Sequence, residues 1–210
     1  MMAVLPAMGF QQTPNQSARL AGVQPHLVVL HTWGVPPATT PSGAASRFEG
    51  VVSYLSNPRV EVSAHVVYGG TLIPRGRRRC VQQVRWERKA WTQAGCNSFA
   101  YSIESADAIW TPAGDASRDG TIDERGLAQL ARITAYICTR AGIPPRWTLD
   151  PNRAGVTRHR DLGKLGNPSG HTDPTGDREL WQRFMGMVRL EHERGGFRKT
   201  WGRGTWPAAV

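Results

Sequence analysis

The stretch Leu27-Val28-Val29-Leu30 is a continuous apolar run that ends in a histidine, His31, and then in Thr32-Trp33-Gly34. A segment this short, apolar at successive positions, has no face to spare for water and reads as a central strand buried on both sides. Its surroundings supply both kinds of partner. Ser42 is positioned to cap a helix whose apolar face holds Phe48, Val51, Val52 and Leu55, with Asn57-Pro58 ending it. Val60, Val62, Ala64, Val66 and Tyr68 alternate with other residues at strand period, Gly69-Gly70 turns the chain, and Cys80 to Trp86 follows as a hairpin partner. Ala100 to Ile103 is a further buried strand carrying Glu104 at its end. Thr121, with Glu124 three residues later, opens a helix whose apolar positions are Leu127, Leu130, Ala131, Thr134, Ile137, Cys138 and Ala141 before Gly142. Val156 to His159 leads into a Gly- and Pro-containing loop, Gly163 to Gly170, and Arg178 to Leu190 forms a last helix. The fold class is therefore α/β, a single central mixed sheet flanked by helices. An irregular leader over 1–25, one domain over 26–190 and a basic tail over 191–210 with Trp201 and Trp206 complete the division.

The 210 residues suffice for one domain with a substantial core, and hydrophobic residues at 40% against 20% charged exclude wholesale disorder. No apolar run is long enough to span a membrane. Met1 to Phe10 is mildly apolar but lacks a preceding basic segment, so a secretory signal is not expected. Cys80, Cys96 and Cys138 are odd in number and without CxxC spacing, which argues for reduced thiols over disulfides or a thiolate-bound metal. The formal charge is +10, and residues 75–89 hold Arg75, Arg77, Arg78, Arg79, Arg85, Arg88 and Lys89 against Glu87 alone. Such a basic stretch suits a polyanion or simply a solvated loop. With no accompanying nucleic-acid-binding signature, specific nucleic-acid recognition is not expected.

The polar residues at strand edges and in Gly-rich loops carry the chemistry: His31, Glu104, His159 and the stretch His171-Thr172-Asp173-Pro174. Two histidines and a carboxylate leave one position open on a zinc ion, the arrangement that a hydrolytic metal site needs. Taken singly, His31 is more often a hydrogen-bonded structural histidine, and Asp173 before Pro174 a turn former. It is their co-occurrence that points to a zinc hydrolase.

Several segments together resemble the zinc-dependent N-acetylmuramoyl-L-alanine amidases of the type-2 amidase and peptidoglycan-recognition-protein superfamily, many of them encoded by phages. Over roughly residues 26 to 185, Val28-Val29-Leu30-His31-Thr32-Trp33-Gly34 is similar to the first zinc-binding strand and Ser63-Ala64-His65-Val66-Val67 to the second strand. Ala90-Trp91 with Ala94-Gly95 and Asn97 resembles the segment before the central strand, and Tyr101-Ser102-Ile103-Glu104 the motif with a catalytic glutamate. His159-Arg160-Asp161 resembles the second zinc histidine and Asp173-Pro174 the third ligand. Thr92 stands where many members have a histidine, and Thr175 where a glycine usually follows Asp-Pro. The resemblance implies Zn2+ held by His31, His159 and Asp173, with Glu104 as the catalytic acid and base. His171 takes the place of a lysine two residues before the third ligand and inherits its oxyanion role; the alternative makes His171 the ligand and Asp173 its orienting partner. It further implies peptidoglycan as substrate, cut at the amide between N-acetylmuramic acid and L-alanine. Anionic wall polymers would engage the 75–89 segment, and Trp33, Trp91 and Trp110 would offer flat faces to sugar or peptide. A phage endolysin waiting in the host cytoplasm, or a lytic virion component, is the implied setting, and a monomer without membrane insertion the implied state. The competing readings are a non-catalytic peptidoglycan-binding module and a basic virion or nucleic-acid-binding protein.

Overall fold

The computed structural model of the protein describes residues 8–34, 38, 40–110, 123–175 and 177–195. Along the chain these form β1 (Gly9–Phe10), β2 (Gln16–Ala18), β3 (Leu27–Thr32), α1 (Pro41–Leu55), β4 (Val66–Tyr68), β5 (Cys80–Gln82), β6 (Arg88–Ala90), β7 (Ala100–Ser105), α2 (Glu124–Ala141), β8 (Gly155–Arg158), α3 (Gly163–Gly166) and α4 (Arg178–Arg194). Six strands make one mixed sheet in the order β1-β5-β4-β7-β3-β8, and β2 pairs with β6 in a separate ribbon. Within the large sheet β4 and β5 form the antiparallel hairpin expected from the sequence, while β3 lies parallel to both β7 and β8.

The apolar run is explained by its place. Leu27, Val28, Val29 and Leu30 are fully buried because β3 sits between β7 and β8 and is covered on both faces. Val28 and Leu30 join Ile103, Val66 and the inner faces of α2 and α4 in the main core. Leu27 and Val29 pack on the opposite face with Cys96, Ala100 and Leu162, beside the cluster that α1 forms with Val67 and Val81. His31 and Glu104 project on this second face, where the two clusters leave space between them.

Helix α1 is capped by Thr40, whose hydroxyl accepts from the Gly43 N–H at 3.1 Å, with Pro41 at the first helical position where its missing N–H costs nothing. Ser42, expected as the cap, lies inside the helix. Its face is as predicted at Phe48, Val52 and Leu55, but Val51 is half-buried. Helix α2 buries Leu127, Leu130, Ala131, Thr134, Ile137 and Cys138 and ends at Gly142 in the left-handed conformation, φ +66°. Its cap is Asp123; Thr121, the expected cap, lies outside the described residues, as do Trp201 and Trp206.

Other boundaries also moved. Only Val66–Tyr68 of the alternating 60–68 segment joins the sheet. Glu61 turns the chain at φ +51°, after which the Val62 carbonyl accepts from the Asn15 amide at 2.9 Å and the Ser63 N–H donates to the Trp91 carbonyl. One turn of helix, α3, interrupts the predicted 163–170 loop, and α4 runs on to Arg194. Residues of the leader are tied in by β1 on the sheet edge, β2 on β6, and Arg19, whose guanidinium donates to the carbonyls of Asn97, Ser98 and Ala100. Cys80, Cys96 and Cys138 are buried free thiols. No helix among the described residues is long and apolar enough to cross a membrane.

Candidate metal centre

Three parallel strands end at one edge of the sheet, and each delivers a polar side chain there. His31 is the last residue but one of β3 and Glu104 the last but one of β7, and they lie directly opposite each other in register. Paired residues on adjacent strands share a face, so both side chains enter the same cleft. Strand β8 stops at Arg158, and His159 follows at once. Asp173 arrives from the segment after α3: its carbonyl accepts from the Arg160 N–H at 3.1 Å and its Oδ2 from the Thr32 N–H at 3.2 Å. The carboxylate thereby meets His159 Nδ1 at 3.1 Å through Oδ1 and His31 Nδ1 at 3.6 Å through Oδ2.

The ligand atoms of His31, His159 and Asp173 all lie within 4.8 Å of one another. Burial, reinforced by His159, lowers the His31 pKa to about 3 against the pull of Asp173 and Gln93, so its imidazole is neutral and offers a lone pair. Burial alone would raise the Asp173 carboxyl, but the hydrogen bond from His159 and the proximity of His31, His159 and the Thr32 N–H hold it below its ordinary value. Two imidazoles and one ionised carboxylate are the donor set of a three-ligand zinc site with an open position. His31 Nε2, moreover, is buried and reaches no hydrogen-bond partner among the described residues, which a purely structural histidine would not tolerate cheaply. The residues present fit a zinc ion.

Glu104 is outside that group and behaves oppositely: burial, then the charges of Asp173 and Asp107, push its carboxyl well above the usual range. His171 is exposed, and its ring stacks on His159 with centroids 4.8 Å apart. Asn167 fastens it by accepting from the His171 N–H and donating to the His171 carbonyl, both at 2.7 Å. Together these side chains line one wall of a cleft of about 740 Å³; Trp33 and the α1 residues Arg47, Val51 and Tyr54 line the other.

Not every sequence candidate reaches the cleft. Trp110 is 2% exposed and packs between Trp181 and Phe184, so it is core and presents no face to a substrate. Trp91 is half-buried with its indole N–H donating to Ser17. His65 is fully buried, bonded to Ser102 and the Arg88 carbonyl, and is structural. A residue that sequence reasoning passed over is Arg158. Its guanidinium forks onto Asp161 at 2.7 and 2.9 Å and donates to the Thr175 carbonyl, tying the turn that carries His159 to the segment that carries Asp173. The opposite charges of Arg158 and Asp161, three apart around His159, were its only trace in the sequence.

Residues 21–176 match the model of the Amidase_2 family, N-acetylmuramoyl-L-alanine amidase. The chain belongs to that family. Every residue of the candidate centre of this amidase-family chain lies inside the matched region. Among solved structures it is similar to the Staphylococcus aureus hydrolase AmiA in complex with its ligand, at 18% identity and TM-score 0.66, covering 91% of this chain and 86% of that one. A mutant endolysin from Bacillus subtilis is similar at 15% identity and TM-score 0.55, covering 88% and 99%. A selenomethionine derivative of AmpD is similar at 23% identity and TM-score 0.52, covering 90% and 96%. At these identities the likenesses speak for the amidase fold. No curated protein sequence matches the chain.

Proposed function

We propose that the protein is a zinc-dependent N-acetylmuramoyl-L-alanine amidase that hydrolyses the amide between N-acetylmuramic acid and L-alanine in peptidoglycan, serving phage-driven lysis of a bacterial host. The observation that carries this reading is the convergence of His31, His159 and Asp173, with ligand atoms within 4.8 Å, at the floor of an open cleft in an amidase-family chain. These three residues would hold the metal. A zinc ion there would supply Lewis acidity toward the scissile carbonyl and acidify the attacking water. Glu104, a carboxyl held well above its usual range by burial beside the site, takes a proton from the attacking water and hands it to the departing amine of L-alanine, so that the amide ends as acid and amine. His171, exposed at the rim and braced on His159, donates a hydrogen bond to the oxyanion.

The exposed Arg75, Arg77 and Arg85 hold the enzyme near anionic wall polymers, whereas Arg78 is engaged by Glu49. A monomer acting from the host cytoplasm at lysis, or from the virion, suits the endolysin-like fold. The test is zinc content measured together with release of L-alanine amino termini from purified peptidoglycan, with and without chelator. Near-stoichiometric zinc and chelator-sensitive release are expected. Zinc without release would replace this reading with a recognition module, and neither would leave a basic binding protein.

A further inference from the structure

The two walls of the cleft differ in how their polar groups are satisfied. On one wall the Asp173 carboxylate is already met by His31, His159 and the Thr32 N–H. On the other, two donors are left over. Arg47 Nη1 is buried and reaches no hydrogen-bond partner among the described residues, and the same holds for Trp33 Nε1; both side chains line the cleft. Arg47 is half-buried and enters no ion pair among the described residues, while Glu49, the acidic residue of α1, is exposed and engaged by Arg78. A guanidinium nitrogen withdrawn from water without an acceptor loses its hydration for nothing, so such a group stands in need of an explanation.

The helix that carries Arg47 is built to present it. Phe48, Val52 and Leu55 are buried and fix α1 to the cluster that includes Val67 and Val81. Arg47, Gly50, Val51 and Tyr54 recur at helical spacing along the flank that lines the cleft. A Cβ added at Gly50 would meet nothing within 4 Å, so the groove is open at that point. The acceptor that suits Arg47 follows from the chemistry of the substrate. In peptidoglycan the sugars are N-acetylated and the lactyl carboxyl is tied up in the amide to be cut, so the free carboxylates belong to the peptide stem. Asp173 repels such a group on its own wall, whereas a guanidinium fork offers it two parallel N–H donors. We propose that Arg47 is a specificity-determining residue: its guanidinium takes a carboxylate of the peptide stem, so that the stem lies along α1. This rests on the amidase reading above and adds to it the wall against which the peptide is read.

The test uses the full zinc-loaded chain and soluble muramyl tripeptides, one with its stem carboxylates free and others with those carboxylates blocked one at a time as carboxamides. The wild type should prefer the free tripeptide over one of the blocked forms by about ten- to a hundredfold in kcat/KM, the share of a charge-assisted hydrogen bond. Arg47→Met should lose that preference, with the change in KM and not in kcat, and should keep its zinc and melt no lower than the wild type, because Nη1 gives up no partner inside the protein. Arg47→Lys keeps the charge without the fork and should restore part of the preference. Gly50→Leu fills the open point of the groove and exchanges a helix-interior glycine for a good helix former, so it should melt higher while KM rises about tenfold or more. A wild type that cuts free and blocked tripeptides alike overturns the assignment. So does an Arg47→Met variant that keeps the preference or that loses equally on every substrate, which marks Arg47 as part of the wall alone, and so does an unchanged KM in Gly50→Leu. A wild type that cuts none of the tripeptides and no intact peptidoglycan overturns the amidase reading itself, an outcome distinct from the others.

Discussion

Glu104 and Asp173 are two carboxyls sharing one cleft, and their surroundings drive them apart. Asp173 is held low because two imidazoles and the Thr32 N–H face it, whereas Glu104 is pushed up by burial and by Asp173 itself. Separation of this kind divides labour between a carboxylate held ionised, suited to a cation, and a carboxyl whose raised pKa suits it to carry a proton. Glu104→Gln should therefore bind zinc as the wild type does and lose about 10²–10⁴-fold in kcat, the usual share of a general acid–base group. Full turnover in that variant would remove Glu104 from the mechanism while leaving the metal group intact. His171→Ala should likewise keep its zinc, because His171 stacks on His159 outside the three-residue group, and lose about 10²–10³-fold in kcat with little change in KM. Loss of zinc instead would make His171 a ligand. The histidines and carboxylates were legible in the sequence because each sits at the end of an apolar strand or in a motif with fixed neighbours. Arg158 was not, since an arginine is an ordinary surface residue until the fold buries it at 7% exposure.

At the scale of elements, a signal was readable where one segment alone determined its own burial. Strand β3 declared itself because both its faces are covered, and α2 because its apolar positions recur at helical spacing. What could not be read was any boundary set by a distant group. Strand β4 starts late because Glu61 reverses the backbone and Asn15, far away in sequence, takes the Val62 carbonyl. Strands β1 and β2, two and three residues long, carry no periodicity to detect. The cap of α2 belongs to the same class. Asp123 accepts from the Gly126 N–H at 2.8 Å, from the Thr71 N–H at 2.7 Å and from the Thr71 hydroxyl, so it joins the helix to the turn after β4. A side chain at position 126 would meet that carboxylate at 2.3 Å, which is why a glycine stands inside the first turn. Asp123→Ala removes the cap and leaves the Thr71 groups unpaired, and should cost about 2 kcal/mol, the upper part of the range for N-caps. The urea midpoint of unfolding reads this directly, and a loss below about 0.5 kcal/mol would mean that water replaces all three bonds.

Across the whole molecule the buried histidines link stability to pH. His65 is fully buried, and burial, then the neighbouring Arg19, lowers its pKa to about 3 against the Arg88 carbonyl. His65 Nδ1 accepts from the Ser102 N–H at 3.1 Å, so Nε2 carries the one proton, donates it to the Arg88 carbonyl at 3.1 Å, and the ring is neutral in the folded protein. Unfolded, the same histidine titrates near 6.5. Between those values the unfolded chain binds the extra proton, so stability is full above about pH 6.5 and falls as pH drops toward 3, by up to about 1.4 kcal/mol per pH unit for each such group. His31 behaves in the same direction, and in chelator the two add. Protonating His65 sets a second cation against the arginine that binds the leader to Asn97, Ser98 and Ala100, so the leader and the centre of the sheet weaken together. Urea unfolding in chelator at pH 7, 6 and 5 should show this decline, and His65→Gln, which cannot be protonated there, should reduce its slope by about half. An undiminished slope in His65→Gln would assign the whole dependence to the metal cluster. A reduced slope would show that the ring joining the leader to β7 is what makes this fold sensitive to acid.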